Sequence, residues 1–257
     1  MGVKRDLYYA KRLCNKRRIF SCTKIYFETN EDLDKLLRKV NFTDKDVLSV
    51  LSSSDQLFKI NSLNIKSIDT FDKNILTYYY FFIRMWTIKY MKELYPTGLI
   101  LNDYEWIEEL LLSINPESIE EKDALFFWKS LLNKRVDFSK MFIRDQEKGL
   151  NFSKDIEKYN VPSKINFSNI NLFKKNKFEK TYDIAVISNI LEWSDGDSRF
   201  LERVADNLCK LLNENGLVLC SKLTYYDDIY GVSLKRALTD NFELYDNDNT
   251  GYVYVKR

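Results

Sequence analysis

Histidine is missing from all 257 residues, glycine occurs only seven times and proline three times. Without imidazole, a Cys/His nucleophile and the commonest zinc-ligand sets are excluded. The four cysteines, Cys14, Cys22, Cys209 and Cys220, show no CxxC spacing, so no metal is expected. The scarcity of glycine and proline rules out a flexible linker rich in either, and no internal repeat is present. Nor is there a long uninterrupted apolar run. The most hydrophobic stretch, ILTYYYFFIRMWTIKYM from Ile75 to Met91, is short and broken by Arg84 and Lys89, which predicts a mostly buried helix rather than a membrane span. Residues 1–20 lack the apolar core of a signal peptide, and thiols of this spacing are expected to be reduced, so a cytoplasmic location is the expectation.

Charge of a single sign is also lacking. Forty Lys and Arg against 38 Asp and Glu leave a formal +2, so no global field points to nucleic acid, and no nucleic-acid partner is expected. One basic stretch stands out, in which Lys4, Arg5, Lys11, Arg12, Lys16, Arg17 and Arg18 face only Asp6. It could touch an anionic membrane surface weakly or a nucleic acid locally, or simply be the solvated face of a helix. The sequence sets no oligomeric state.

What is present is a globular composition, 45% hydrophobic and 15% aromatic, with a clear order of elements. Residues 1–44 form a helical lead-in, ending in NEDLDKLLRKV with Asn30 as its cap. DVLSVLS (46–52) and IKSIDTF (65–71) predict two strands, the second running into the long aromatic helix. Between 92 and 161 the strand signal disappears. DYEWIEELLLS and PESIEEKDALFFWKSLLNK predict helices, the second starting at Pro116, and the block is either a lid or plain extra packing. INFSNINLF, YDIAVISNI and LVLCSKL predict further strands. SRFLERVADNLCKLLNENG predicts a helix closed by Gly216, GVSLKRALTDN another helix, and FELYDNDNTGYVYVKR an antiparallel hairpin. The expected fold class is α/β, a doubly wound, mostly parallel seven-stranded sheet over 45–257 with a C-terminal antiparallel hairpin and an inserted helical block.

This order resembles the class I S-adenosylmethionine-dependent methyltransferase fold. Three stretches, VLSVLSSSDQLF, IDTFDKNILTYYYFFIR and AVISNILEW, are similar in order and spacing to motifs of the bacterial betaine-lipid synthesis family, which transfers a 3-amino-3-carboxypropyl group from S-adenosylmethionine to diacylglycerol. In that family the first strand ends in Ser-Gly-Gly-Asp, the second in Asp-x-Asn-Pro, and the fourth leads to Ser-Asp and Asp-Trp. Here Ser53 and Ser54 replace the glycines, Ile75 the proline, and Asn189 and Glu192 the aspartates.

The resemblance implies S-adenosylmethionine as cofactor, with Ser52, Ser53, Ser54, Asp55, Asp72, Asn169, Ser188 and Asn189 around it and Glu192 and Trp193 at the reacting carbon. An acid about 20 residues beyond the first loop can accept from ribose hydroxyls, which favours Asp72 over its strand neighbour Asp69, although a helix N-cap role for Asp72 fits as well. Asp55 could pair with the ammonium of the methionine moiety or be a cap. Asn169 or Asn171 could meet the adenine amino group. Glu192 could act as base toward an oxygen nucleophile, and Trp193 either faces the sulfonium or packs in the core. The expected function is a transferase acting on a small-molecule or lipid-like acceptor, most simply by methyl transfer. Aminocarboxypropyl transfer, or an inactive methyltransferase-fold scaffold, are the alternatives.

Overall fold

The computed structural model describes residues 2–16, 25–26, 31–90, 104–143, 160–162, 164–176, 178–188, 190, 198–221 and 240–257. Along the chain the elements are α1 (Val3–Cys14), β1 (Ile25–Tyr26), α2 (Leu33–Leu37), β2 (Asp46–Val50), α3 (Asp55–Ile60), β3 (Ser67–Phe71) and α4 (Leu76–Tyr90). They continue with α5 (Tyr104–Ser113), α6 (Ile119–Leu132), a 3-10 turn (Phe138–Met141), β4 (Phe142–Ile143), β5 (Asn166–Ser168), β6 (Tyr182–Val186), α7 (Ser198–Leu211), β7 (Leu212–Ser221), β8 (Phe242–Asn247) and β9 (Gly251–Lys256). They gather into two compact units, Met1–Asn30 with Leu51–Asp55 and Asn74–Ser163, and Glu31–Val50 with Gln56–Lys73 and Lys164–Arg257. These limits differ from the segments 1–44, 45–257 and 92–161 drawn from sequence pattern.

The second unit carries the seven-stranded sheet, in the order β5-β3-β2-β6-β7-β9-β8. β2, β3, β5, β6 and β7 run parallel, and β9 lies antiparallel between β7 and β8. The expected doubly wound, mostly parallel seven-stranded fold with its terminal antiparallel hairpin is therefore present. Strand alternation divides the core in two. Leu48, Val50, Ala185, Val218, Cys220 and Tyr254 meet the apolar stripe Leu201, Val204, Ala205, Leu208 and Leu211 of α7. Val47, Ile184, Val186, Leu219 and Val253 meet Leu33 and Leu37 of α2 and Ile60 of α3. The hairpin turns on Asp248, whose Oδ1 accepts from the Thr250 and Gly251 N–H groups at 2.7 and 3.2 Å. Lys39 pairs with Asp246 and Asp248, each at 2.8 Å, fastening the chain after α2 to that hairpin.

The first unit is built around α4, which is buried along most of its length. Tyr79 stacks on Phe127 of α6 with centroids 3.9 Å apart, and its hydroxyl donates to the buried Asp6 carboxylate of α1 at 3.0 Å. Burial, and then the Asp6 charge, push the Tyr79 hydroxyl pKa far above its usual value. Trp128 Nε1 donates to the Tyr79 carbonyl at 2.9 Å. The aromatic run is thus core packing, as helical spacing of large apolar side chains implies.

Several boundaries depart from expectation. The stretch before residue 41 is not all helical, because β1 pairs in parallel with β4 in a two-stranded sheet. Two-residue strands have no period to detect. α2 is capped by Asp32, which accepts from the Lys35 N–H, rather than by Asn30, which lies outside the described residues. α6 starts at a capping box formed by Ser118 and Glu121, two residues beyond the proline start. Gly216 does not close a helix. α7 ends at Leu211 and passes straight into β7, where the register jumps from Leu212 opposite Tyr182 to Leu217 opposite Ile184. Residues 213–216 bulge out there, with Asn215 at φ 62°. Of the helix expected in GVSLKRALTDN (231–241), residues 231–239 lie outside the described residues, and so do 92–103 and 144–159 of the inserted block.

Candidate functional site

In the sheet-bearing unit, β3 and β5 extend from β2 in one direction while β6 and β7 extend in the other, so the strand order reverses between β2 and β6. In doubly wound sheets ligands lie outside the carboxyl ends of the strands at such a reversal. Among the described residues, seven non-glycine positions have positive φ, and three of them directly follow these two strands: Ser52 (44°), Ser54 (75°) and Ser188 (56°). Each costs about 1–2 kcal/mol relative to glycine-like freedom, and strain of this kind concentrates at functional sites.

In the helical unit, Ser53, Ser54 and Asp55 are all buried, and Ser52 is half-buried. The backbone is left-handed at Ser54, which stands where the similar family has a glycine, and at Ser52 before it. The Ser54 hydroxyl has no hydrogen-bond partner among the described residues. Asp55 does not offer a free carboxylate to a ligand ammonium. Its Oδ1 accepts from Arg84 Nη2 at 2.5 Å, its Oδ2 from the Ser53 hydroxyl at 2.7 Å, and Arg84 Nη1 donates to the Ser53 carbonyl at 3.1 Å. Both charges are almost fully buried, as a pair must be to survive without water. Arg84 is a residue that sequence reasoning missed as a loop anchor. Its signal was a guanidinium in the middle of an aromatic helix, which demands an internal partner.

Asp69 lies within β3 and Asp72 just beyond it. Asp69 accepts from Asn166 Nδ2 at 3.0 Å, Lys180 Nζ at 2.9 Å and the Tyr182 hydroxyl at 2.8 Å. Burial pushes its pKa up, but these three donors outweigh it and hold the carboxyl below its ordinary 3.8. Asp72 follows the last residue of β3 and is buried, with its N–H donating to the Ser168 carbonyl at 3.2 Å. It is not the cap of α4. Asn74 has that role, with Oδ1 accepting from the Leu76 N–H at 3.1 Å and the Thr77 hydroxyl donating to its carbonyl at 2.8 Å. Asn169 is exposed and donates through Nδ2 to the Asp72 and Lys73 carbonyls at 2.9 and 3.1 Å, so its amide fixes the turn that carries Asp72.

Ser188 is buried at the end of β6, and its hydroxyl donates to Glu31 Oε1. Gln56 Nε2 donates to the other carboxylate oxygen at 3.3 Å. The Ser188 carbonyl accepts the Ser221 N–H at 3.2 Å. Burial, and then the Glu31 charge, push the Cys220 thiol far above its usual range, so it is inert as a nucleophile. Glu31 lay unnoticed in the segment assigned to the lead-in helix, and no spacing pattern links it to residues 56 and 188. Asn189, Glu192 and Trp193 lie outside the described residues. Among the described residues no cluster of His, Cys, Asp and Glu could hold a metal ion.

No family model matches the chain, and no curated protein matches it. The betaine-lipid resemblance therefore rests on its three motifs alone. Among solved structures the chain is similar to the N-methyltransferase NodS from Bradyrhizobium japonicum WM9 in complex with S-adenosyl-L-homocysteine, at 10% identity over 98% of each chain and a TM-score of 0.45. It is also similar to a TehB-like SAM-dependent methyltransferase from Corynebacterium glutamicum, at 9% identity over 100% of each chain and a TM-score of 0.45. TrmN from Thermus thermophilus matches at 14% identity over 88% of this chain and 48% of its own, with a TM-score of 0.43, so the chain spans about half the length of TrmN. At such identities the fold class is read from this chain's own strand order.

Proposed function

We propose that the chain is an S-adenosylmethionine-dependent transferase that moves a methyl group to a small-molecule or lipid-like acceptor. The observation that carries this reading is Asp72. It is a buried acid at the carboxyl end of the strand beside the reversal, in a turn whose Asp72 and Lys73 carbonyls accept from Asn169 Nδ2. An acid at that point can accept from both hydroxyls of a ribose, the contact that orients a nucleoside on this kind of sheet.

S-adenosylmethionine supplies a carbon activated by a sulfonium, whose neutral thioether leaves without acid assistance. The protein's task is therefore chiefly in-line positioning. Asp72 orients the sugar. The serine turn after β2 keeps a glycine-like backbone, and a cofactor without a pyrophosphate does not require the bare N–H cradle of dinucleotide sites. Ser52, Ser53 and Ser54 as the turn bordering the cofactor, and Ser188 and Asn189 as the corresponding turn after β6, are assigned on sequence position alone, while Asp55 anchors the serine turn through Arg84. Glu192 as base and Trp193 as aromatic wall are assigned on sequence position alone.

Calorimetric titration with S-adenosylmethionine and S-adenosylhomocysteine tests the proposal, and saturable binding of both is expected. Absence of heat with either ligand contradicts it. Product analysis then fixes the group transferred, because S-adenosylhomocysteine marks methyl transfer and methylthioadenosine marks aminocarboxypropyl transfer.

A further inference from the structure

We propose that the recess beside the C-terminal ends of α1 and α6 binds the phosphate group of a small soluble molecule. It lies wholly within the helical unit, and the inference does not depend on the transferase reading. Leu7, Ala10, Leu13 and Cys14 turn one face of α1 into the core, which leaves Lys4, Tyr8, Lys11, Arg12 and Asn15 at helical spacing on the other. On that outer face lies a recess of about 490 Å³ lined by Tyr8, Lys11, Arg12, Asn15 and Lys16. Lys134, two residues past the end of α6, reaches Lys11, and Lys140 Nζ donates to the Cys14 carbonyl at 3.3 Å. Both helix ends and their bases therefore meet in one place.

The charges there do not balance. Residues 7–16 and 130–143 hold six cations and a single acid, Asp137, which pairs with Lys140 at 3.8 Å. Each helix C-terminus adds about half a negative charge, so about four positive charges remain after both dipoles are matched. Among the described residues, Lys11, Arg12, Lys16 and Lys134 have no carboxylate partner. Lys11 is also half-buried, and burial, then the contact with Lys134 and its charge, lower the Lys11 pKa. Two ammonium groups held together offer donors only, and an anion that accepts from both removes their repulsion. A phosphate ester carries about −1.5 to −2 charges near neutral pH and several strong acceptor oxygens, which suits paired lysines beside a guanidinium. The recess falls within the roughly 300–1,000 Å³ of small-ligand sites, and the Tyr8 ring, 67% exposed, gives the body of the ester an aromatic wall. A flat lipid surface would rest on the rim of such a recess rather than fill it.

Phenyl phosphate is the probe and phenol its control, titrated by calorimetry and phosphorus NMR into the wild type, Lys11→Gln with Lys134→Gln, and Arg12→Gln with Lys16→Gln. Saturable binding of phenyl phosphate but not of phenol is expected, weakening as salt is added. Each double variant should lose about tenfold or more in affinity, with thermal melts showing that it is folded. If the variant that includes the half-buried Lys11 does not fold, the Arg12 and Lys16 variant, which changes two exposed side chains, decides. Vesicles of phosphatidylcholine with and without phosphatidylserine, and a single-stranded oligonucleotide, are tested in parallel. Binding of the anionic vesicles or the oligonucleotide without binding of phenyl phosphate would make this end a macromolecular surface and overturn the proposal. No binding of phenyl phosphate by the wild type, or equal binding by the folded variants, overturns it as well.

Discussion

Arg84 and Asp55 are the clearest instance of a single side chain setting local structure. A carboxylate at zero exposure is tolerable only with a cation in contact, and the guanidinium in turn grips the Ser53 carbonyl of the same turn. Arg84→Met should therefore cost about 3–5 kcal/mol in denaturant melts, while Asp55→Leu with Arg84→Met should recover most of that loss. Ser54 offers the opposite case. At φ 75° and with an unpartnered buried hydroxyl among the described residues, Ser54→Gly removes both burdens and should raise stability by about 0.5–1 kcal/mol in the same melts. For Asp69, a folded pKa below 3.8 means that its contribution is fully present above that value and is lost as pH falls through the folded pKa. Asp69→Asn should thus destabilise at neutral pH, and its difference from the wild type should shrink from about pH 4 downward in urea melts followed across pH.

Among the elements, the hairpin partner of β7 is the most sensitive. A Cβ on Gly251 would stand 2.2 Å from the Cys220 carbonyl oxygen and 2.8 Å from Leu36 Cδ1, so β9 would have to part from β7 where Gly251 pairs with Ser221. Gly251→Ala should cost about 1–3 kcal/mol, seen as a lower melting temperature. Elements whose residues follow one period over several turns or pleats were legible in the sequence: β2, β3, β6, the hairpin, and α4 to within a residue. Those set by long-range pairing were not. β1 and β4 are too short to carry a period, and the passage from α7 into β7 hides behind a glycine that belongs to a bulge rather than a cap. The position of the acid at 72, buried just past the end of β3, could be read from the sequence because its strand and its distance from the first loop are both linear features. The partners that qualify the other site residues, Arg84 for Asp55, Asn74 in place of Asp72 as cap, and Glu31 for Ser188, are far away in sequence or differ from their alternatives by two positions, and only packing distinguishes them.

At the scale of the whole chain, the strand order reverses between β2 and β6, the place where doubly wound sheets hold their ligands. On the proposed transferase reading, the protein's task is in-line positioning. Asp72→Ala should leave the fold intact and weaken S-adenosylhomocysteine by about 10- to 150-fold, the loss of a hydrogen bond to a charged group, measured by calorimetry. The most direct test is a crystal structure of the chain with S-adenosylhomocysteine. The ribose hydroxyls are expected within hydrogen-bond distance of the Asp72 carboxylate at the carboxyl end of β3. An adenosyl group bound elsewhere, with that carboxylate turned away from it, would contradict the account.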